Sequence, residues 1–454
     1  MNQDAVLERV AAVFDRLDAV AGDHGGLVPA ILDVETGRMP TTPPDQIPGQ
    51  RSSELAAGGA NLLDDAAMLS TVKHLRDHGV SMPDMVDAYL ETFVSDCTGT
   101  ATGLFPWGDH AHWNLDAWAP GSCYDDGRMV HDQRLRCPTW LWEAIADRDP
   151  GAVHAFADGL DWHWLDEERT AANRHAFIDR RERGGFGGDR SCDFPRHVGT
   201  FVHDLAIALR ENPTDARREQ LRRWLDFWAD EHDERGLLPY ERHGHNHASP
   251  QQTLAFASGL CAAADVLADC EPSLVATIDR HVEHSVEGFL AAGHDGGRLW
   301  AAGYPNEILA AEGLTCLHVF RRTGDDRLFD WAVGVGELYR HLPFPGARTT
   351  IPAKDPGLVL ELFADLAGIT GDKSWIDAGQ PIVAAVLEEY LDRTVPRAAT
   401  GVDHYDAHHG TGTLLHGLAR IATAGALAPW YGRLTPGYRR TEAYPFGHAT
   451  IGRA

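Results

Sequence analysis

Residues 250–268, PQQTLAFASGLCAAADVLA, are the stretch that decides the fold. Apolar or small residues occupy nearly every position, so a helix here has almost no polar face and must be buried by its neighbours. A helix with one apolar stripe is predicted just before it, over residues 213–231. The stripe consists of Leu221, Trp224, Leu225 and Trp228. An amphipathic outer helix followed by an apolar inner helix is therefore the unit of this chain.

The same pair of helices recurs along the sequence with a period of roughly 45–60 residues, which marks a repeat architecture. The turn TGDDR at residue 323 returns as TGDKS at residue 370. The other predicted pairs are 1–20 with 62–78, 82–98 with 131–146, 149–165 with 194–210, 272–290 with 305–321, 325–341 with 356–370, and 372–391 with 410–422. Inner helices this apolar cannot line an open, solvated surface. The sequence thus predicts an all-α protein, an α/α toroid of about seven helical hairpins.

The chain carries no segment that reads as a linker between domains. We expect one catalytic toroid domain over residues 1–424. Residues 425–454 are rich in Pro and Gly and are predicted to form an irregular extension that packs on the toroid.

Charge narrows the possible partners. The net charge is −27, and only three of the 40 basic residues are lysine. An excess of acid this large argues against binding nucleic acid or an anionic membrane. It fits a halophilic protein kept soluble in a high-salt cytoplasm, where salt screens the self-repulsion. An acidic surface encoded by a GC-rich genome is the alternative.

Cysteine usage and the N-terminal sequence indicate the compartment. The seven cysteines are scattered without a CxxC pair, which fits a reducing environment. No basic segment followed by an apolar run is present at the start, and no apolar stretch is long enough to span a membrane. We expect a cytoplasmic protein, either a monomer or a small homo-oligomer.

Polar residues and histidines concentrate in the long loops that join each outer helix to its inner helix. If the hairpins close into a ring, these loops share one rim and line a single cavity. Loops this long in a compact domain are usually functional. The polar loops are 107–113, 193–197, 240–247, 298–307 and 403–409.

Four loop residues are predicted to be catalytic. One of His243, His245 and His247 is the expected general base, because histidine titrates near neutral pH; the family resemblance described below favours His247. Tyr304 can transfer a proton, and Arg298 can hold a carboxylate with two hydrogen bonds. His197 stands at a predicted helix N-terminus, which favours anions.

Further loop residues are predicted to bind substrate through indole rings, imidazoles, amides and guanidinium groups. They are Trp107, His110, His112, Trp113, Asn114, His131, Arg196, Tyr240, Arg242, His245, Asn306, Glu307, His408 and His409. No cofactor or metal is expected. A divalent metal between the 243–247 and 403–409 loops is the alternative, although no specific metal-binding motif is present there.

Three motifs in order resemble a bacterial family described as pectate-lyase-like. They are WGDHAHW at 107–113, His131 followed by PTWLW at 138–142, and DFPRHVG at 193–199. The resemblance spans about residues 100–420. Asp109 stands where the family's pattern has Glu.

The family is in turn similar to α/α-toroid lyases that cleave glucuronan and alginate. Those lyases use an Arg and a Tyr six residues apart, with a His upstream. Arg298, Tyr304 and His247 match that arrangement. Such lyases are usually exported. Because no signal is found here, the resemblance implies action on imported oligosaccharides.

The residues and the resemblance together predict β-elimination of uronic-acid saccharides. A base removes the C5 proton, cations neutralise the carboxylate, and an acid protonates the departing O4. One alternative is a glycoside hydrolase, with its two carboxylates drawn from Asp109, Glu241, Glu307 and Asp403. A sugar epimerase or isomerase with two histidines is another. A non-enzymatic saccharide-binding protein, whose rim loops would diverge in space, is the last.

Overall fold

The computed structural model describes residues 3–184, 194–242, 247–292, 297–301, 303 and 308–429. Helices dominate this part of the chain and follow one another as seven outer–inner pairs. The pairs are α1 (Gln3–Gly22) with α2 (Leu62–Asp77), α3 (Met85–Thr92) with α4 (Thr139–Arg148), α5 (Pro150–Gly159) with α6 (Pro195–Glu211), α7 (Asp215–Ala229) with α8 (Pro250–Leu267), α9 (Pro272–Ala292) with α10 (Leu309–Thr323), α11 (Asp326–His341) with α12 (Lys354–Thr370), and α13 (Ser374–Glu389) with α14 (Thr411–Ala422). The seven predicted hairpins are confirmed.

The inner helices pack side by side and close a ring. Contacts run from α4 through α6, α8, α10 and α12 to α14, and α14 packs in turn against α2. Between α2 and α4, the Trp140 indole donates a hydrogen bond to the Ser70 hydroxyl (3.0 Å). The fold is therefore an α/α toroid, and the prediction of a closed ring is confirmed.

Glycines allow two pairs of inner helices to approach closely. A Cβ at Gly259 of α8 would lie 2.7 Å from the Gly199 Cα of α6. A Cβ at Gly357 of α12 would lie 2.6 Å from the Thr413 carbonyl oxygen of α14. At both crossings the two backbones touch, which only a residue without a side chain permits.

All the described strands lie in the long connections that lead from an outer to an inner helix. They pair antiparallel: β1 (Ile31–Asp33) with β7 (His404–Asp406), β2 (Gly59–Ala60) with β3 (Ala111–Asn114) and β3 with β4 (Ala119–Ser122), and β5 (Val130–His131) with β6 (Ala176–Phe177). Connections from inner to outer helices are short. The strands thus tie neighbouring long loops together at one end of the ring.

Two helices start four or more residues later than the sequence prediction. The helix predicted over 131–146 begins at Thr139, because residues 130–131 pair as β5 and Pro138 precedes the helix in an extended conformation. The helix predicted over 305–321 begins at Leu309. Apolar periodicity in the sequence does not show that a segment pairs with a distant loop. A helix predicted from it therefore extends too far into such a segment.

The apolar core runs continuously from Val6 to Leu427. Residues 430–454, most of the predicted extension, lie outside the described residues, so its packing on the toroid stays a prediction. No described helix is both long and apolar enough to cross a membrane.

Candidate active site: a buried carboxylate among histidines and arginines

Asp132 is the centre of a buried polar cluster at the looped end of the ring. Its carboxylate contacts Arg174 through an ion pair. Histidine Nε2 atoms lie 3.0 Å (His197), 3.3 Å (His175) and 3.5 Å (His110) from its oxygens. We call these five residues the Asp132 cluster. Four separate segments of the chain supply it, so the rim loops converge rather than diverge.

Short backbone pairings bring these segments together. The antiparallel pair β5–β6 aligns His131 with Ala176, which sets Asp132 beside His175. Gly108 pairs with Asp132 in a parallel bridge, which brings His110 into the cluster. Gly108 has φ +97°, and a Cβ there would collide with the Asp132 carbonyl group. Glycine is therefore required at position 108.

Asp132 is ionised. Burial alone would raise its pKa, but Arg174 and the histidines at His175 and His197 hold the pKa of this carboxyl well below its usual range. A buried carboxylate is stable only with such partners.

The carboxylate of Asp132 fixes the tautomer of His197. Only a protonated Nε2 can donate to the Asp132 oxygen at 3.0 Å, so Nδ1 of the neutral ring carries the lone pair. His197 Nδ1 is buried and has no hydrogen-bond partner among the described residues. Burial lowers the pKa of His197 to about 4, which keeps the ring neutral. The result is an oriented base with a free lone pair.

Arg196, the neighbour of His197, is a buried cation that lacks a counter-ion in the described part of the chain. Both residues lie in the first turn of α6. The Arg196 guanidinium is 4.9 Å from the Phe194 ring, and among the described residues its Nε and Nη1 have no hydrogen-bond partner. The buried Gln252 amide oxygen accepts from the Arg196 backbone N–H, and Nε2 of Gln252 also lacks a partner in this part of the chain. Donors in this state at a helix N-terminus are suited to an anion.

A second charged group adjoins the Asp132 cluster. Asp109 pairs with Arg134 (3.3 Å), and Nδ1 of His408 is 3.4 Å from Asp64. Burial would lower the pKa of His408, but Asp64 and Asp109 raise it to about 9. His408 is thus an imidazolium at neutral pH, in contrast to His197.

His409 and Asp406 support this second group. His409 Nδ1 donates to the Asp406 carboxylate at 2.8 Å, and the same carboxylate caps the His408 backbone N–H at 2.9 Å. Gln50 donates to Asp406 from the first long loop. His409 is fully buried and acts by holding the loop.

Two predicted binding residues are structural. The fully buried Trp107 indole donates to His131 Nε2 (3.0 Å). His131 Nδ1 then donates to His163 Nε2 (2.8 Å), and His163 donates to the Asn173 carbonyl. These hydrogen bonds use both ring nitrogens of His131 and of His163. These bonds give Trp107 and His131 structural partners, and their contact with substrate stays a prediction.

Four other predicted residues have structural partners. The buried His112 ring packs between Gly59 and Gly121, and Trp113 packs edge-on against Trp118 at 6.1 Å. Asn114 accepts two backbone N–H bonds in a turn, and Arg242 pairs with Glu231. These contacts give the four residues a role in supporting the loops.

The loop that carries Tyr240 reaches the anion site. Tyr240 packs edge-on against Phe194 (5.1 Å) and stacks with His247 (5.5 Å). His247 itself is exposed, while Arg298 is buried. His245, Tyr304, Asn306 and Glu307 lie outside the described residues, so their predicted roles, and that of His247 as a base, stay predictions.

Sequence reasoning missed three members of the site, Asp132, Arg174 and His175. The available signal was their spacing: Asp132 follows His131 in a family-like motif, and Arg174 directly precedes His175. Only the pairing of β5 with β6 shows that the two dipeptides meet.

Two surface clefts lie away from the Asp132 cluster. One of about 360 Å³ is lined by charged residues of α9 and of the α10–α11 turn, and one of about 380 Å³ opens between α2, α3 and α4. Neither is lined by a member of the Asp132 cluster.

No family model matches the chain, and no curated protein matches it. Solved structures do. An α-1,2-mannosidase from Trichoderma reesei aligns over 96% of both chains with a TM-score of 0.57 at 10% identity. A sugar epimerase from a ruminal bacterium aligns over 92% of this chain and 98% of its own (TM-score 0.48, 8% identity), and a D-mannose isomerase over 76% and 100% (TM-score 0.48, 11% identity). The mannosidase likeness supports the α/α-toroid fold.

Proposed function

We propose that the protein is a lyase that cleaves uronic-acid-containing saccharides by β-elimination. One observation carries the proposal: among the described residues, His197 has a free lone pair on Nδ1, and the adjacent buried Arg196 has no hydrogen-bond partner at Nε and Nη1. Removing a proton next to a carboxylate needs both groups at once, because the carboxylate must be neutralised as the carbanion forms.

In the proposed reaction, Arg196 and the Gln252 amide bind the uronate carboxylate. His197 Nδ1 takes the C5 proton, and Asp132 stabilises the resulting imidazolium through Nε2, as the carboxylate of a catalytic triad does. The C4–O4 bond breaks as the C4=C5 double bond forms.

His408 is the proposed acid, which gives its proton to the departing O4. Its imidazolium is set by Asp64 and Asp109, and it belongs to the charged group that adjoins the Asp132 cluster. Sequence reasoning assigned the base to His247 and a proton-transfer role to Tyr304; the oriented ring of His197 now makes it the better-supported base.

Hydrolysis is less well supported. A hydrolase needs one carboxyl that stays protonated, with a raised pKa. Three carboxyls of this site, those of Asp109, Asp132 and Asp406, have lowered pKa values. Arginine or histidine partners hold each of them ionised.

A C5 epimerase is the second candidate, favoured by the same pair of histidines, one neutral and one positively charged. In that reaction His408 would return a proton to C5 from the other face, and the glycosidic bond would survive.

The test is to incubate the protein with oligosaccharides of glucuronan, alginate, pectate and rhamnogalacturonan. A lyase product contains a conjugated double bond and absorbs in the ultraviolet, and we expect one of the four to produce it. An epimerase would incorporate deuterium at C5 from D₂O without any absorbing product, which would overturn the lyase proposal.

The carboxylate clamp has its own test. Wild type is expected to prefer a uronate over its methyl ester, which lacks the charge. Arg196→Lys keeps a charge but loses the planar fork, so kcat/KM on the uronate should fall about tenfold to a hundredfold. Equal activity of wild type on acid and ester would contradict the assignment.

A further inference from the structure

His110, Asp132 and His175 place three metal-ligating atoms together in the buried cluster. One ring nitrogen from each histidine and one Asp132 oxygen all lie within 4.8 Å of one another. All three side chains are almost completely buried. Two imidazoles and a carboxylate are the ligand types that a zinc site with three protein ligands uses.

The distances fit a tetrahedral ion. Zinc bonds of about 2.0–2.2 Å put neighbouring ligand atoms of a tetrahedron roughly 3.3–3.6 Å apart. Nε2 of His175 lies 3.3 Å and Nε2 of His110 lies 3.5 Å from the same Asp132 oxygen. Both separations are compatible with ligands around a shared ion.

The hydrogen bonds of His110 supply an independent argument. Its Nδ1 is 2.7 Å from the Ser53 carbonyl oxygen, which can only accept, so Nδ1 carries the proton. Nε2 of the neutral ring then presents a lone pair to the Asp132 carboxylate, and it has no hydrogen-bond partner among the described residues. Two lone pairs face each other, an arrangement that a cation between them stabilises. A backbone carbonyl that fixes the far nitrogen is also the usual support of a metal-bound histidine.

Neighbouring charges are compatible with an ion. Arg174 pairs with the same Asp132 oxygen, which has a second lone pair to offer.

We propose that His110, Asp132 and His175 bind a zinc ion, with the fourth position open to water or a substrate oxygen. This site differs from the loops at 243–247 and 403–409, where the sequence left room for a metal. The proposal does not depend on the lyase reaction, because binding is measured without a substrate.

The experiment uses the full-length protein, stripped with a chelator and then dialysed against zinc chloride. We expect one zinc per chain by elemental analysis and a higher melting temperature with zinc than without it. Cobalt(II) in its place should give the visible absorption of a tetrahedral site. Wild-type protein that binds no zinc would overturn the proposal, whatever the variants do.

Variants locate the ion. His110→Ala and His175→Ala should each lose the zinc and the melting shift, while His247→Ala, in the exposed loop, should keep both. A far-ultraviolet circular dichroism spectrum checks that each variant is folded. Zinc retained by folded His110→Ala and His175→Ala, or lost from His247→Ala, would contradict the site.

Discussion

At the scale of single residues, the carboxylate of Asp132 orients the groups around it. Asp132 has four partners, and the one at 3.0 Å determines which nitrogen of His197 is free. Arg196 differs from Asp132, because its Nε and Nη1 lack a hydrogen-bond partner in the described structure. A buried cation in this state is costly unless a ligand pairs with it.

Replacing His197 tests the base. His197→Gln can still donate to Asp132 from the position of Nε2 but cannot accept a proton, so kcat should fall about 10²- to 10⁴-fold with little loss of folding. The measurement is the rate of double-bond formation at saturating substrate.

His203→Gln is the matched control. His203 lies on the same helix, is equally buried and also pairs with a carboxylate, that of Asp204 at 3.0 Å. It should keep its activity. Equal losses in the two variants would mean that His197 matters for the fold alone.

The proton on His408 leads us to expect that both kcat and stability depend on pH. Its pKa of about 9 means that the proton donor is present at neutral pH and is lost above pH 9, so kcat should decline there. The stability of the fold should also decrease as the pH rises. A pKa raised above the unfolded value of about 6.5 stabilises the fold fully below that pH, and this stabilisation disappears as pH rises through 9.

His408→Gln checks the effect on stability. The free energy of unfolding, measured by urea titration at pH 7 and pH 10, should fall more between these values in wild type than in the variant. An identical fall in both proteins would show that His408 does not carry the shifted proton.

At the scale of elements, close helix crossings depend on glycine. A Cβ at Gly417 of α14 would lie 3.0 Å from the Gly357 Cα and nearer still to its carbonyl. Gly417→Ala should therefore destabilise the protein by about 1–3 kcal/mol, because the helices must separate.

The comparison for Gly417→Ala is Gly99→Ala, at an exposed glycine where an added Cβ has no atom within 4 Å. Chemical denaturation of both variants measures the difference. If Gly99→Ala were as destabilising as Gly417→Ala, the close crossing would not be the cause.

The helical hairpins could be predicted from the sequence. Apolar periodicity located all seven hairpins, since a buried inner helix such as 250–267 shows its environment in its composition. Of the site, Arg196, His197, His110 and His408 could be named because they stand in recognisable loop motifs. Asp132 and Arg174 could not, because a two-residue strand such as β5 has no periodicity, and its partner is more than 40 residues away.

At the scale of the whole molecule, ring closure converts separate loops into one site. The packing of α14 against α2 joins the two ends of the repeat array, and β1 pairs with β7 across the same junction. His408 comes from the last hairpin and Asp64 from the first, so their contact exists only in the closed ring.

The net charge of −27 predicts how the whole chain responds to salt. Self-repulsion opposes compaction and is screened as ionic strength rises. We therefore expect the melting temperature to increase steadily from low to molar potassium chloride. A melting temperature that stays constant or falls over that range would contradict a halophilic protein.

The central claim, β-elimination, is tested most directly by counting two products of one reaction. New reducing ends and conjugated double bonds are measured together on the uronate oligosaccharide that the protein cleaves. The account predicts that they form in equal amounts, because each broken C4–O4 bond leaves one double bond. Reducing ends without double bonds would identify a hydrolase and contradict the account.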